Sequence, residues 1–110
     1  NLQDWANAHT IQLPCIPAHC EQSYHMFYLL LPSLQVRQEL IRYLKERDIY
    51  AVFHYLPLHR SKMGQQLGGN EVDCPVTQDV SDRLLRLPFH RHLGEAELER
   101  VVAALQSFTP

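Results

Sequence analysis

Two strand-like runs in this chain are separated by a helix, and that separation limits the possible folds more than any other feature. His25 to Leu31 reads His-Met-Phe-Tyr-Leu-Leu-Leu, nearly continuous in apolar and aromatic character, and Pro32 closes it. Such a run fits a strand covered on both faces. Ser33 then offers a capping hydroxyl, and Val36, Leu40, Ile41 and Leu44 recur at helical spacing. Arg37, Gln38, Arg42 and Lys45 fall on the opposite face, and Lys45 and Arg47 lie where a helix dipole favours cations. The spacing predicts a helix over 34–47. A second strand is expected from Ile49 to Tyr55, where Tyr50, Val52 and Phe53 favour extended backbone. Strands joined through a helix cannot form a tight hairpin.

The remaining segments fit around this unit. Leu2 to Ala8 reads as the last turns of a helix. Pro14 and Pro17 keep His9 to Ser23 extended, a connector whose Ile11, Leu13 and Ile16 can pack on a neighbour. A long loop is expected over 56–74, with one short helical turn at Lys62 to Leu67. So long a connection in a small domain is usually functional or mobile. Thr77 is placed to cap a helix with Val80, Leu84 and Leu85 inward, and Leu85 to Phe89 makes a short strand. The final helix, Glu95 to Ser107, carries Leu98, Val101, Val102 and Leu105 as its apolar stripe. The fold class expected is α+β: a small three-stranded, mainly antiparallel sheet of split βαβ type. Its short third strand lies between the other two, and the helices at 34–47 and 95–107 cover one face.

Size and charge narrow the function. A chain of 110 residues with 45% hydrophobic content suits one domain with a real core. The net charge of -2 and the lack of a basic stripe argue against nucleic acid and anionic membrane as partners. The longest apolar run, Met26 to Leu31, is too short to span a bilayer, and no signal peptide is visible. Cys15, Cys20 and Cys74 do not form a disulfide framework, so a reducing cytoplasm is the expected compartment. The chain opens on Asn1 rather than methionine, which suggests part of a longer protein.

The chemistry-bearing stretch is His54-Tyr55-Leu56-Pro57-Leu58-His59-Arg60-Ser61, a polar and aromatic loop leaving the second strand. If the backbone stays extended through Pro57, Tyr55 and His59 project to one side and His54 to the other. Tyr55 and His59 are therefore the candidate functional side chains of this stretch, with Arg60 and His54 second to them. The plainer alternative is that His54 and Tyr55 merely finish a strand while His59 is solvated. Seven histidines and three cysteines raise the question of zinc. Cys15, His19 and Cys20 lack a second paired motif, and His90-Arg91-His92 is weaker still, so no metal ligands are assigned. No phosphate-cradling glycine motif occurs. Of the two lysines, Lys45 lies on a polar helix face and Lys62 in a loop, neither with a reason for a lowered pKa.

Three motifs in order carry a resemblance. They are Ser23-Tyr24-His25-Met26-Phe27-Tyr28, then Ala51 through His59, then Cys74-Pro75-Val76-Thr77-Gln78-Asp79 running to Arg83-Leu84-Leu85-Arg86-Leu87-Pro88-Phe89. Together they resemble the C-terminal small domain of the DegT/StrS-type sugar-nucleotide aminotransferases, over nearly the whole chain from Ile11. Within that family the likeness is greatest to the branch that makes dTDP-4-amino-4,6-dideoxygalactose. Gly94 departs from the capping Thr or Ser usual there, a mild change because Gly also caps. The resemblance implies 1–24 as the end of an interdomain helix and connector, and 25–110 as the small domain of a fold-type I aminotransferase. It implies pyridoxal phosphate as cofactor, held by a lysine in an upstream domain, so that this chain alone holds none and contains no catalytic residue. It further implies glutamate as amino donor, a dTDP-6-deoxyhexose as substrate, Tyr55, His59, Arg60 and His54 as substrate-binding residues walling its cleft, the upstream domain as partner, and a homodimer. Two other readings remain: a non-catalytic interaction module and a small zinc-binding protein.

Overall fold

The computed structural model describes residues 2–70 and 74–110, so part of the loop expected over 56–74 lies outside the described residues. Five helices and three strands follow in chain order: α1 (Leu2–Ala8), β1 (Tyr28–Leu30), α2 (Leu34–Lys45), β2 (Val52–Phe53), α3 (Lys62–Gln66), α4 (Pro75–Arg83), β3 (Leu84–Arg86) and α5 (Glu95–Gln106). A 3-10 turn, Leu58–Arg60, precedes α3. The sheet order is β1-β3-β2 and both pairings are antiparallel. The short last strand therefore does lie between the two that the helix separates.

Register explains where the core sits. Leu29 faces Leu85, and Phe53 faces Leu85 from the other side, so the three share one face of the sheet. Leu29 and Leu85 are fully buried with Leu40 and Leu44 of α2 and with Val101 and Leu105 of α5. Hydrogen bonds from Leu31 to Arg83 and from Leu87 to Phe27 extend the β1–β3 ladder at both ends. The connector contributes more than expected: Gln12 exchanges two backbone hydrogen bonds with Leu30, each of 3.0 Å, on the outer edge of β1. Ile11 is buried there, whereas Ile16 is exposed and packs on nothing in the core. Trp5 closes the domain, its indole N–H donating to the Phe108 carbonyl at 3.0 Å.

Several expectations need correction. The strands are shorter than their apolar runs, and β2 in particular is an edge strand whose Val52 and Phe53 are both half exposed. The fourth helix is capped by Cys74, with Pro75 in its first turn, rather than by Thr77. Proline suits that position because its missing N–H would be unpaired there anyway. In α5, Leu98 is 51% exposed and the buried stripe is Val101, Ala104 and Leu105. Leu98 instead borders an apolar groove with Leu2, Phe89 and Leu93. Gly94 does cap α5, its backbone N–H donating to the Glu97 carboxylate at 2.8 Å, which is the half of a capping box a glycine can supply. Arg37, expected on the solvent face of α2, is only 6% exposed.

Candidate functional site

The strand does not run on through Pro57. Tyr55 takes φ 46, in the left-handed region that bulky residues rarely enter. Extended backbone therefore ends at Phe53, and the alternation that separated His54 from Tyr55 is lost. Both rings swing to the same side, with centroids 4.9 Å apart. Together with Leu56, Pro57 and Leu58 they form one wall of a cavity of about 600 Å³. The opposite wall is α4 with the start of β3: Val76, Thr77, Val80, Ser81 and Leu84. The Ser81 hydroxyl donates to the Tyr55 carbonyl at 3.2 Å and ties the walls together.

His59 and Arg60, also expected at the site, do not line this cavity. They sit in the 3-10 turn behind it, where Arg60 pairs with Asp82 of α4 at 3.8 Å. Asp82 also accepts from the Gln78 amide at 2.9 Å. Two imidazole nitrogens, His54 Nδ1 and His59 Nε2, are buried without a hydrogen-bond partner. Buried polar atoms are normally paired, so both are exceptions in this turn. Of the cavity residues, those of α4 escaped sequence reasoning. No local signal pairs Ser81 with Tyr55, and only the packing of α4 brings them together.

The turn is locked from the other side by Ser61 and Gly64. The Ser61 hydroxyl donates to the Leu58 carbonyl at 2.7 Å and accepts from the Gly64 N–H at 2.9 Å, which also caps α3. A methyl carbon added at Gly64 would lie 1.9 Å from the Leu58 carbonyl oxygen. Gly64→Ala should therefore displace the 58–60 turn and cost about 1–3 kcal/mol, as overpacking does. A thermal melt checks this, and an unchanged midpoint would show that the turn can yield freely.

A cofactor has no evident holder in this chain. Lys45 and Lys62 are both exposed, and neither lines the cavity or the two smaller pockets described. The chain's own residues thus do not fit a covalently held pyridoxal phosphate. Cys15, Cys20 and Cys74 are free and exposed, and among the described residues no three His, Cys, Asp or Glu side chains converge as metal ligands would. Among those residues, no helix is long and apolar enough to cross a membrane.

The sequence profile of the DegT/DnrJ/EryC1/StrS aminotransferase family matches residues 1–106. The chain belongs to that family. Among DegT/DnrJ/EryC1/StrS relatives, it is 31% identical to the dTDP-4-dehydro-2,3,6-trideoxy-D-glucose 4-aminotransferase of Saccharopolyspora spinosa, over 76% of this chain and 21% of that protein. It is 30% identical to a pleiotropic regulatory protein of Geobacillus stearothermophilus, over 84% of this chain and 25% of that protein. The chain thus spans between a fifth and a quarter of the length of these curated relatives. The aminotransferase TlmJ from Streptoalloteichus hindustanus superposes with a TM-score of 0.76 at 24% identity, over 96% of this chain and 29% of that one. DesV from S. venezuelae gives 0.79 at 22% identity, over 98% and 30%. The α+β fold with its three-stranded antiparallel sheet is the fold of the matching part of these aminotransferases.

Proposed function

We propose that this chain is the C-terminal part of a sugar-nucleotide aminotransferase, residues 25–110 forming its small domain and residues 1–24 the end of an interdomain helix with its connector. In this reading an upstream domain would hold pyridoxal phosphate through its lysine, and that group would supply the transamination chemistry, with glutamate as amino donor and the 4-keto group of a dTDP-6-deoxyhexose as acceptor. The place is the cytoplasm, the assembly a homodimer, and the product a sugar for cell-surface polysaccharide or lipopolysaccharide. The observation that carries the reading is the cavity at the left-handed Tyr55 turn, in a chain of this family.

The cavity's composition fits such a substrate. Leu56, Pro57, Leu58, Val76, Val80 and Leu84 give it an apolar lining suited to the methyl-bearing edge of a deoxy sugar. The Tyr55 hydroxyl, the His54 ring, Thr77 and Ser81 supply polar groups that can orient sugar hydroxyls. This small domain would then wall the cleft, exclude water and align the keto carbon, with no proton transfer asked of it. His59 and Arg60 would act from behind, supporting the turn. Amination at C4 is favoured over C3 by the name of the relative that is 31% identical; the dTDP-3-amino-3,6-dideoxy-alpha-D-galactopyranose transaminase of Aneurinibacillus thermoaerophilus is 23% identical.

A second reading, a non-catalytic interaction module, draws support from the likeness to the regulatory protein. One assay separates them. The full-length polypeptide ending in this chain, loaded with pyridoxal phosphate, should aminate a dTDP-4-keto-6-deoxyhexose at the expense of glutamate. Product is followed by mass spectrometry of the sugar nucleotide, and this 110-residue chain alone should give none. If the full-length protein aminates no keto sugar nucleotide with any amino donor, the regulatory reading replaces the enzymatic one.

A further inference from the structure

Arg37 is the one buried charged side chain among the described residues, and its Nε is buried without a hydrogen-bond partner. It lies in the first turns of α2, far in sequence from the cavity, which it does not line. One guanidinium nitrogen donates to the Ser81 carbonyl at 2.7 Å. That carbonyl belongs to the last turn of α4, where β3 begins at Leu84 and helical partners run out. Carbonyls at a helix C-terminus lack intrahelical donors and carry the negative end of its dipole, so a cation is well placed there. The same guanidinium lies over the Phe53 ring, 5.4 Å from its centroid, on the residue that precedes His54 and Tyr55. Ser81 in turn donates its hydroxyl to the Tyr55 carbonyl. One side chain thus touches both the strand that enters the left-handed turn and the helix that faces it.

We propose that Arg37 is a positioning residue, acting through Ser81 and Phe53 to hold the left-handed Tyr55 turn against α4 and so to give the cavity its shape. Its importance for substrate rests on the function proposed above. Its effect on the turn does not. Burial pushes the guanidinium below its ordinary pKa while the Asp82 carboxylate pulls the other way, in keeping with a cation held by packing rather than by a single ion pair. A purely structural arginine should be replaceable, because apolar residues of similar volume often substitute for buried charges without loss of stability. A positioning arginine should survive the same replacement in stability but not in the geometry of the turn it holds.

The test uses the 110-residue chain itself. In Arg37→Met, the Tyr55 Cα and Cβ chemical shifts should move from left-handed towards extended values while the midpoint of thermal unfolding changes little. Arg37→Lys, which retains a cation beside the Ser81 carbonyl, should largely restore the wild-type shifts. Wild-type Tyr55 shifts in Arg37→Met overturn the proposal, as does a failure of lysine to restore them. If Arg37→Met does not fold, Ser81→Ala carries the test, since it severs the final link to Tyr55, and unchanged Tyr55 shifts there refute the relay. None of these readouts requires catalysis, so their failure counts against Arg37 alone, whereas failure of the amination assay counts against the proposed function. In the full-length enzyme, Arg37→Met should raise KM for the sugar nucleotide about tenfold with a smaller effect on kcat.

Discussion

Leu85→Asp should abolish the folded state. Leu85 sits in the middle strand, fully buried, opposite both Leu29 and Phe53. Truncating such a leucine alone costs about 2–5 kcal/mol. A carboxylate there also lacks any partner in an apolar core, and an unsatisfied buried polar group adds roughly 2–7 kcal/mol before ionisation is considered. Together they are comparable with the roughly 5–15 kcal/mol that a domain of this size has in total. Leu98→Asp is the control, because Leu98 is half exposed in the first turn of α5 and should shift stability only modestly. Circular dichroism melts check both variants. A cooperative Leu85→Asp transition at the parent temperature would mean that the sheet is not where the core lies.

That contrast also marks what could be read from the residues. The strand–helix–strand order and the central place of the last strand followed from connectivity, because a helix between two strands leaves room for a third. The short helical turn expected at Lys62 to Leu67 is present as α3. Leu98 was misplaced because helical periodicity gives a face but not how far the neighbouring sheet extends beneath it. Thr77 was read as a cap from its hydroxyl, when Pro75 was the stronger positional signal for where the helix starts. Arg37 was set in solvent because its burial depends on Phe53 and Ser81, which are distant in sequence.

The site was half legible for a similar reason. A loop rich in histidine and tyrosine after a strand pointed to the segment that lines the cavity, but alternation put His54 and Tyr55 on opposite sides where the structure puts both rings on one wall. A tyrosine at positive φ has no signature in sequence, since its intrinsic preference opposes that conformation. The consequence is that His54, expected to point away, shares the cavity wall with Tyr55, while His59 supports the turn from behind. His59→Ala should accordingly act through packing, and His54→Ala through the substrate.

Tyr55 gives the most direct test of the central claim, that the left-handed turn walls the sugar-nucleotide cleft. Its backbone strain costs roughly 1–2 kcal/mol for a non-glycine residue. Glycine removes that cost, and its greater freedom in the unfolded chain takes back about 0.5–1 kcal/mol. Tyr55→Gly should therefore melt at or slightly above the wild-type temperature. The variant also loses the ring and hydroxyl that face the cavity, and a hydrogen bond to a charged ligand contributes about 1.5–3 kcal/mol. On that scale, kcat/KM for a dTDP-4-keto-6-deoxyhexose should fall about tenfold to a hundredfold in the full-length enzyme. The decisive measurement is kcat/KM of Tyr55→Gly set beside its melting temperature. The account predicts a large kinetic loss at undiminished stability; wild-type kcat/KM in a fully folded variant would contradict it.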